Sequence, residues 1–488
     1  MKCSLYSLML MLGLTGWGLA LQAQNEAPAL TKAEKALLNK LEARSAHYGE
    51  LAHRIWELAE LGFMEDQSTQ LLQAELTAHG FEIEQGVAGM PTAFVASYGS
   101  GKPVIGLLAE YDALPGMAQE ALPRQQKREG QDNGHACGHH LFGTASVAAA
   151  VAVKEWLAAN KLPGTVRLYG TPAEEGGGGK IFMVRAGLFD DVDAVITWHP
   201  ASRNRASAKS SLAAVSMNFK FYGHASHAAA APERGRSALD GIEAFNFMVN
   251  LMREHVPQET RIHYAIKHGG GAPNIVPAFA EVAYIIRHPD INTLKAIIAR
   301  VERAAEAAAL GTETRVEMEC EIGYYNILPN EPLARLMHQK LQQVGGVSYT
   351  PEERAFAEGI IQTFPALQVQ PEDAMKIDEF TVEPVGSGGS TDVGDISWVV
   401  PTASMNAATW VPGTTAHSWQ AVAAGGTSIG TKGMMVAAKT LSLTAVALFQ
   451  RPEVLQEAKA TLLQSRGPDF EYECLVGDQP PPLDYRKQ

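Results

Sequence analysis

The stretch "KPVIGLLAEYDALPG", Lys102–Gly116, decides the fold. Its apolar run from Pro103 to Ala109 follows a glycine turn and stops at Glu110-Tyr111-Asp112. An unbroken apolar run of this length reads as a strand buried on both faces, as in a parallel sheet. Two later stretches repeat the design. "TVRLYGTPAEEGGGG" (Thr165–Gly179) is a strand running into Glu174-Glu175 and a glycine loop, and "DAVITWHP" (Asp193–Pro200) is a strand ending at His199 with a proline stop. Between them and the first strand, "HHLFGTASVAAAVAVKEWLAAN" (His139–Asn160) has the length and composition of a helix. Strands alternating with helices predict an α/β fold with a mostly parallel sheet covered on both faces. Ligands of such sheets bind beyond the carboxyl ends of the strands. Three strand ends rich in acids and histidine are therefore expected to face one site.

Further out, "LTKAEKALLNKLEARSAHYGELAHRIWELAEL" (Leu30–Leu61) reads as one long amphipathic helix, with Thr31 and Glu34 spaced as a capping box. After residue 208 the rhythm changes. "LAAVSMNFKFYG" (Leu212–Gly223) alternates apolar and polar residues, as a half-buried strand does. A helix, the strands "RIHYAIKH" and "FAEVAYIIR", a helix over 290–309 and the strand "TRVEMECEIG" follow. That β-α-β-β-α-β order is the ferredoxin-like unit. The helical and glycine-rich pattern resumes after residue 330 and runs to a helix over 430–448. The expected organisation is a catalytic domain over 28–208 and 329–488, interrupted by an α+β satellite domain over 209–328.

The 488 residues exceed what one ordinary core holds, in keeping with two domains. A formal net charge of −13 argues against nucleic acid and anionic membrane surfaces as partners. Lys2, the apolar stretch Leu5–Leu21 and the small residues Ala20 and Ala23 have the grammar of a secretory signal peptide over residues 1–23. The protein is thus expected to be exported, and no later segment reads as a membrane span. Of the four cysteines, Cys3 would leave with the signal. The remaining three are too few and too odd in number for a disulfide framework, although one Cys320–Cys474 bond is open.

The chemistry gathers around "HACGHH", His135–His140. Cys137 and His139 are two residues apart, so extended backbone turns both the same way, and Gly138 adds no side chain to crowd an ion. A thiolate with an imidazole suits zinc or a similar cation. The alternatives are a Cys137 nucleophile activated by His135 or His139, or histidines that cap and pack; a protein of this fold that binds without catalysing is a third class. In Glu174-Glu175, neighbouring carboxylates diverge, so one can bind metal while the other faces substrate as a base.

Taken in order, "AEYDALPG", "HACGHH", "TPAEEGGGGK", "WHP", "GHASHAAAAP", "APNIVPAFAEV", "GSGGSTDVG" and "GTTAHSW" resemble the aminoacylase/carboxypeptidase-type metallopeptidase family, in its amidohydrolase branch. The resemblance implies two divalent metal ions, zinc or manganese, held by Cys137, His139, Glu175, His199 and His417, with Cys137 as the bridge. It implies Glu174 as general base and Asp112 as the carboxylate that orients a metal ligand. His227 would stabilise the oxyanion of a neighbouring active site across a dimer, and Asn274 and Arg287 would hold a substrate carboxylate. Arg287 has a structural alternative, a pair with Glu281 or Asp290. Glu110 and His140 depart from the commoner branch pattern, which has Asp at both positions. The implied activity is hydrolysis of the amide of aminobenzoyl-glutamate or similar N-acyl amino acids and small dipeptides. The implied assembly is a homodimer or a heterodimer with a related subunit.

Overall fold

A computed structural model describes residues 28–386 and 388–487, so the expected leader over residues 1–23 lies outside the described residues. Apart from a two-stranded pair, Ala208–Lys209 with Val382–Glu383, the strands in chain order are β1 (Glu82–Gln85), β2 (Phe94–Ser100), β3 (Val104–Ala109), β4 (Gly164–Gly170), β5 (Ala194–Ala201) and β6 (Arg205–Ala206). They are followed by β7 (Ala213–Tyr222), β8 (Arg261–His268), β9 (Phe279–His288), β10 (Arg315–Tyr324) and β11 (Thr402–Ala408). The first sheet has the order β1-β2-β4-β3-β5-β11-β6. Its centre is parallel: β4, β3, β5 and β11 all point one way, while β1, β2 and β6 form the edges, where the pairing turns antiparallel. Every residue of β3 is buried, as its unbroken apolar run requires. The helix His139–Asn160 starts and ends where its sequence predicts and packs on this sheet against the helix Ser428–Gln450.

Both of those helices are long and apolar enough to cross a membrane, contrary to the sequence reading that no segment after the leader reaches that length. Their most apolar windows are 83% buried, so the hydrophobicity serves the core.

The second sheet has the order β10-β7-β9-β8, antiparallel throughout. With the helices Ala238–Met252 and Ile291–Gly311 it forms the expected β-α-β-β-α-β unit, around a core that includes Phe219, Phe245 and Tyr284. Edge strand β8 exposes nearly every residue.

The long helix expected over Leu30–Leu61 is two helices, Lys32–Ala43 and Ser45–Leu58, that meet at Arg44. Arg44 leaves helical geometry (φ −104°, ψ 6°) and binds Glu155 at 2.7 Å, which ties the bend to the central helix. The capping box of Thr31 and Glu34 forms as its spacing predicts. Cys320 and Cys474 are free thiols, so the bond left open by the sequence is not made.

Candidate active site and metal centre

Four parallel strands deliver the site. β3 runs into Glu110 and Asp112, β4 into Glu174 and Glu175, β5 carries His199, and the chain leaving β11 reaches His417. Cys137 and His139 arrive from the side, at the start of the helix His139–Asn160. The turn between them needs glycine for a reason the sequence did not give. Gly138 is left-handed (φ +77°), and a Cβ there would lie 2.7 Å from Cβ of Pro200, the residue after His199. Gly138 thus lets the Cys137–His139 turn pack against the His199 strand.

Donor atoms of Cys137, His139 and His199 lie within 4.8 Å of one another, and so do those of Cys137, Glu175 and His417. Cys137 belongs to both groups. A third group of Glu110, His139 and Glu174 adjoins them. All five ligands expected from the sequence therefore come together, and all but the fully buried His139 line, with Glu174, a cavity of about 540 Å³.

The donors are preset. His139 Nδ1 pairs with Asp112 Oδ1 at 2.8 Å, so when the ring gives up a proton to bind an ion, it keeps the one on Nδ1 and offers the Nε2 lone pair. That Nε2 is buried and makes no hydrogen bond among the described residues, although Glu110 Oε2 stands 3.1 Å away. His199 donates Nδ1–H to the Pro200 carbonyl at 2.7 Å, and its Nε2 faces Cys137 Sγ at 3.4 Å. A soft thiol, imidazole lone pairs and a carboxylate with orphaned buried atoms fit a divalent ion of the zinc or manganese kind. Asp112 stands where it can orient the His139 ring, between His139 Nδ1 and the Glu175 N–H.

Burial pushes the Cys137 thiol up and the His199 imidazole down. The pair left to itself stays neutral, which disfavours a thiolate nucleophile. Burial also opposes charge on His139, but Asp112, Cys137 and Glu110 outweigh it and raise that imidazole well above its ordinary range. Burial, then Glu110 and Glu175, hold the Glu174 carboxyl well above the usual carboxylate range. Burial acts on Glu175 in the same sense, yet its bond to His417 Nε2 at 3.0 Å keeps it low. The two neighbouring glutamates thus differ in environment, and their proton affinities move in opposite senses.

The backbone around Glu174 is pinned. Ala173 is left-handed (φ +56°) and donates its N–H to Glu65 Oε1 at 2.9 Å, while Glu175 N–H donates to Asp112 Oδ2 at 2.9 Å. His417 is also left-handed (φ +58°). Non-glycine residues in this region cluster at functional sites because their surroundings must over-determine them.

Sequence reasoning missed the group behind the site. Lys180 is fully buried and binds Glu110 Oε1 at 2.8 Å and Asp392 Oδ1 at 2.7 Å. Burial would depress it, but Asp392, Glu110 and Glu174 raise it instead. The available signals were a lysine opening the apolar run "KIFMV" and an aspartate in "STDVG". Glu65, also fully buried, had no such signal.

Of the three histidines in "HACGHH", only His139 joins the groups that could hold a metal ion. His135 Nε2 bonds the Ile55 carbonyl and His140 Nε2 the Gly425 carbonyl, each at 3.0 Å, and the rings lie 4.8 Å apart. Burial pushes both down, His135 to about 3, so they are neutral posts of the scaffold.

The satellite residues stand apart from the cavity. His227 is exposed and neighbours Asn274, whose carbonyl accepts from Ala228 N–H at 3.0 Å. His227 Nδ1 accepts from the Ala229 and Ala230 N–H groups at 3.2 Å each, which puts the ring proton on Nε2. Arg287 lines a different cavity, of about 580 Å³, with Arg261 and His263. Asp290, one of its two candidate partners, caps the helix Ile291–Gly311 instead. Within one chain the structure does not bring His227, Asn274 or Arg287 to the ligands.

Residues 106–421 match the sequence profile of peptidase family M20/M25/M40. The chain is 41% identical over 444 residues to one of the subunits of p-aminobenzoyl-glutamate hydrolase of Escherichia coli, covering 86% of this chain and 92% of that one. Xaa-Arg dipeptidase of Mus musculus is 30% identical over 448 residues, covering 88% and 92%. A solved structure of a dinuclear metal binding M20 peptidase from Bacillus subtilis aligns with a TM-score of 0.58 at 18% identity, covering 84% of this chain and 99% of that one. At that identity the likeness speaks for the fold.

Proposed function

The chain belongs to peptidase family M20/M25/M40, and we propose that it cleaves the amide bond of p-aminobenzoyl-glutamate or a similar N-acyl amino acid with two bound metal ions. Hydrolysis of amide and peptide bonds is what the names of the family and of these relatives state, and the Bacillus subtilis neighbour is a dinuclear metal binding peptidase. One observation carries the finer reading: Cys137, His139, Glu175, His199 and His417 converge in two groups that share Cys137, with Glu174 alongside. The substrate is suggested by the likeness to the Escherichia coli hydrolase.

Zinc or manganese held by these five side chains would supply a more acidic water and a polarised carbonyl. The chain's own residues do the rest. Glu174, half-buried and with a raised proton affinity, takes a proton from the attacking water and passes it to the leaving nitrogen. Asp112 fixes the His139 ring, and His417 keeps the Glu175 carboxylate ionised.

A dimer, with the same chain or with a related subunit, is part of the proposal. His227 is exposed and keeps its ring proton on Nε2, a donor suited to the carbonyl oxygen in a partner's site, and Phe247, Leu251 and Ile266 expose apolar surface on the same satellite domain. Export is also proposed, on the grammar of residues 1–23.

The test uses protein stripped with chelator and reloaded with zinc or manganese, given p-aminobenzoyl-glutamate and Xaa-Arg dipeptides. Release of p-aminobenzoate that vanishes on stripping and returns on reloading supports the proposal. Activity on Xaa-Arg dipeptides alone replaces the substrate, and activity that survives stripping overturns the mechanism.

A further inference from the structure

The last turn of the chain reaches the catalytic loop. The Glu175 carbonyl accepts from Tyr485 Oη at 3.0 Å and from Arg486 Nη2 at 2.6 Å. The N–H of the same residue is already held by Asp112, so the peptide groups on both sides of Glu175 are fixed. The Tyr485 ring fills a space made for it. A Cβ on Gly62 would lie 2.2 Å from Tyr485 Oη, Gly176 passes beside the ring, and Phe63 meets it edge-on with centroids 5.8 Å apart.

The tail that carries these two residues is itself anchored. Tyr472 donates to Asp395 Oδ1 at 2.6 Å, and Glu473 bonds Lys295 Nζ at 2.7 Å and Tyr325 Oη at 2.8 Å. Further along, Arg185 binds the Gly477 and Gln479 carbonyls at 2.6 and 2.8 Å. The segment therefore runs from the helix Ile291–Gly311 across to the glutamate loop. All of it lies beyond residue 421, where the match to the family profile ends.

We infer that Tyr485 and Arg486 are positioning residues for Glu174 and Glu175, with the C-terminal tail acting as a strap that sets the aim of both carboxylates. A turn of the Glu175 peptide would swing the metal ligand and the base together, and the carbonyl's two donors resist that turn. The catalytic half of this inference rests on the proposed hydrolysis, whereas the strap itself is tested by measurements that need no substrate.

The variants are Tyr485→Phe, Arg486→Ala, their combination, and Arg486→Lys as the conservative replacement. Local hydrogen exchange across residues 173–179 is measured on the full chain, with zinc affinity by competition against a coloured chelator and kcat and KM on p-aminobenzoyl-glutamate. Groups that orient metal ligands typically contribute about 10–100-fold to affinity or activity. The double variant is expected to speed exchange in that loop, lose about that factor in zinc affinity and kcat, and keep KM, with Arg486→Lys recovering part of the loss. Unchanged loop exchange and zinc affinity in a folded double variant overturn the strap. If Arg486→Ala does not fold, Tyr485→Phe alone decides by the same two readings. Faster loop exchange and weaker zinc binding in an enzyme inactive on every substrate uphold the strap and discard the proposed hydrolysis instead.

Discussion

Lys180→Met removes one charge from the centre of the catalytic domain and keeps the length of the side chain. Glu110 and Asp392 would then be buried without their cation. Breaking a buried ion pair by removing one partner costs about 3–5 kcal/mol. Protonation relieves part of that cost. Burial already raises Asp392 to about 6 with Lys180 in place, and loss of the ammonium moves it higher. A carboxyl whose pKa is higher folded than unfolded stabilises the fold at low pH, and that stability is lost as pH rises through the folded value. The defect of Lys180→Met should thus be largest at pH 8 and shrink toward pH 5, by up to about 1.4 kcal/mol per pH unit for one proton. Urea unfolding of the metal-loaded chain and the variant, followed by tryptophan fluorescence at pH 5, 6.5 and 8, measures it. A variant as stable as the parent at pH 8, or a defect of constant size, refutes the reasoning.

Glu174→Gln should lower kcat by about 10²–10⁴-fold, the usual contribution of a positioned base, while zinc affinity stays within a few-fold. Burial raises Asp395 to about 7, so its contribution to stability is present at low pH and fades as pH rises from about 4 through 7. Asp395→Asn should flatten that part of the pH–stability profile, read from thermal midpoints. Gly138→Ala puts a Cβ against Pro200 at a left-handed position. It should cost about 1–3 kcal/mol and weaken metal binding, seen as a lower thermal midpoint and faster metal loss to chelator.

The parts of this protein legible in its sequence are those where a local pattern has one physical meaning. β3, β4, β5 and the helix His139–Asn160 announce themselves by apolar runs that stop at turns or charges. Four of the five candidate ligands were visible because each sits near a strand end or in a cysteine–histidine pair, which the sheet then has to gather, whereas His417, nine residues past β11, was legible only through the family resemblance. What stayed hidden was contact between distant segments. Nothing near Arg44 states that Glu155 will bend the helix there, and nothing near Lys180 states that Asp392 will face it 212 residues later. Tyr485 and Arg486 look like an ordinary tail until the fold returns them to Glu175. His135 and His140 show the converse, since imidazoles beside a ligand pair look like ligands although burial makes them scaffold.

Everything proposed for catalysis depends on Cys137 joining two ligand groups into one metal centre. Calorimetric titration of the stripped full-length chain with zinc and with manganese, beside Cys137→Ala, tests this most directly. Two ions should bind per parent chain, and tight binding at both positions should be lost in the variant. A single ion on the parent chain, or two ions bound as tightly without Cys137, would contradict it.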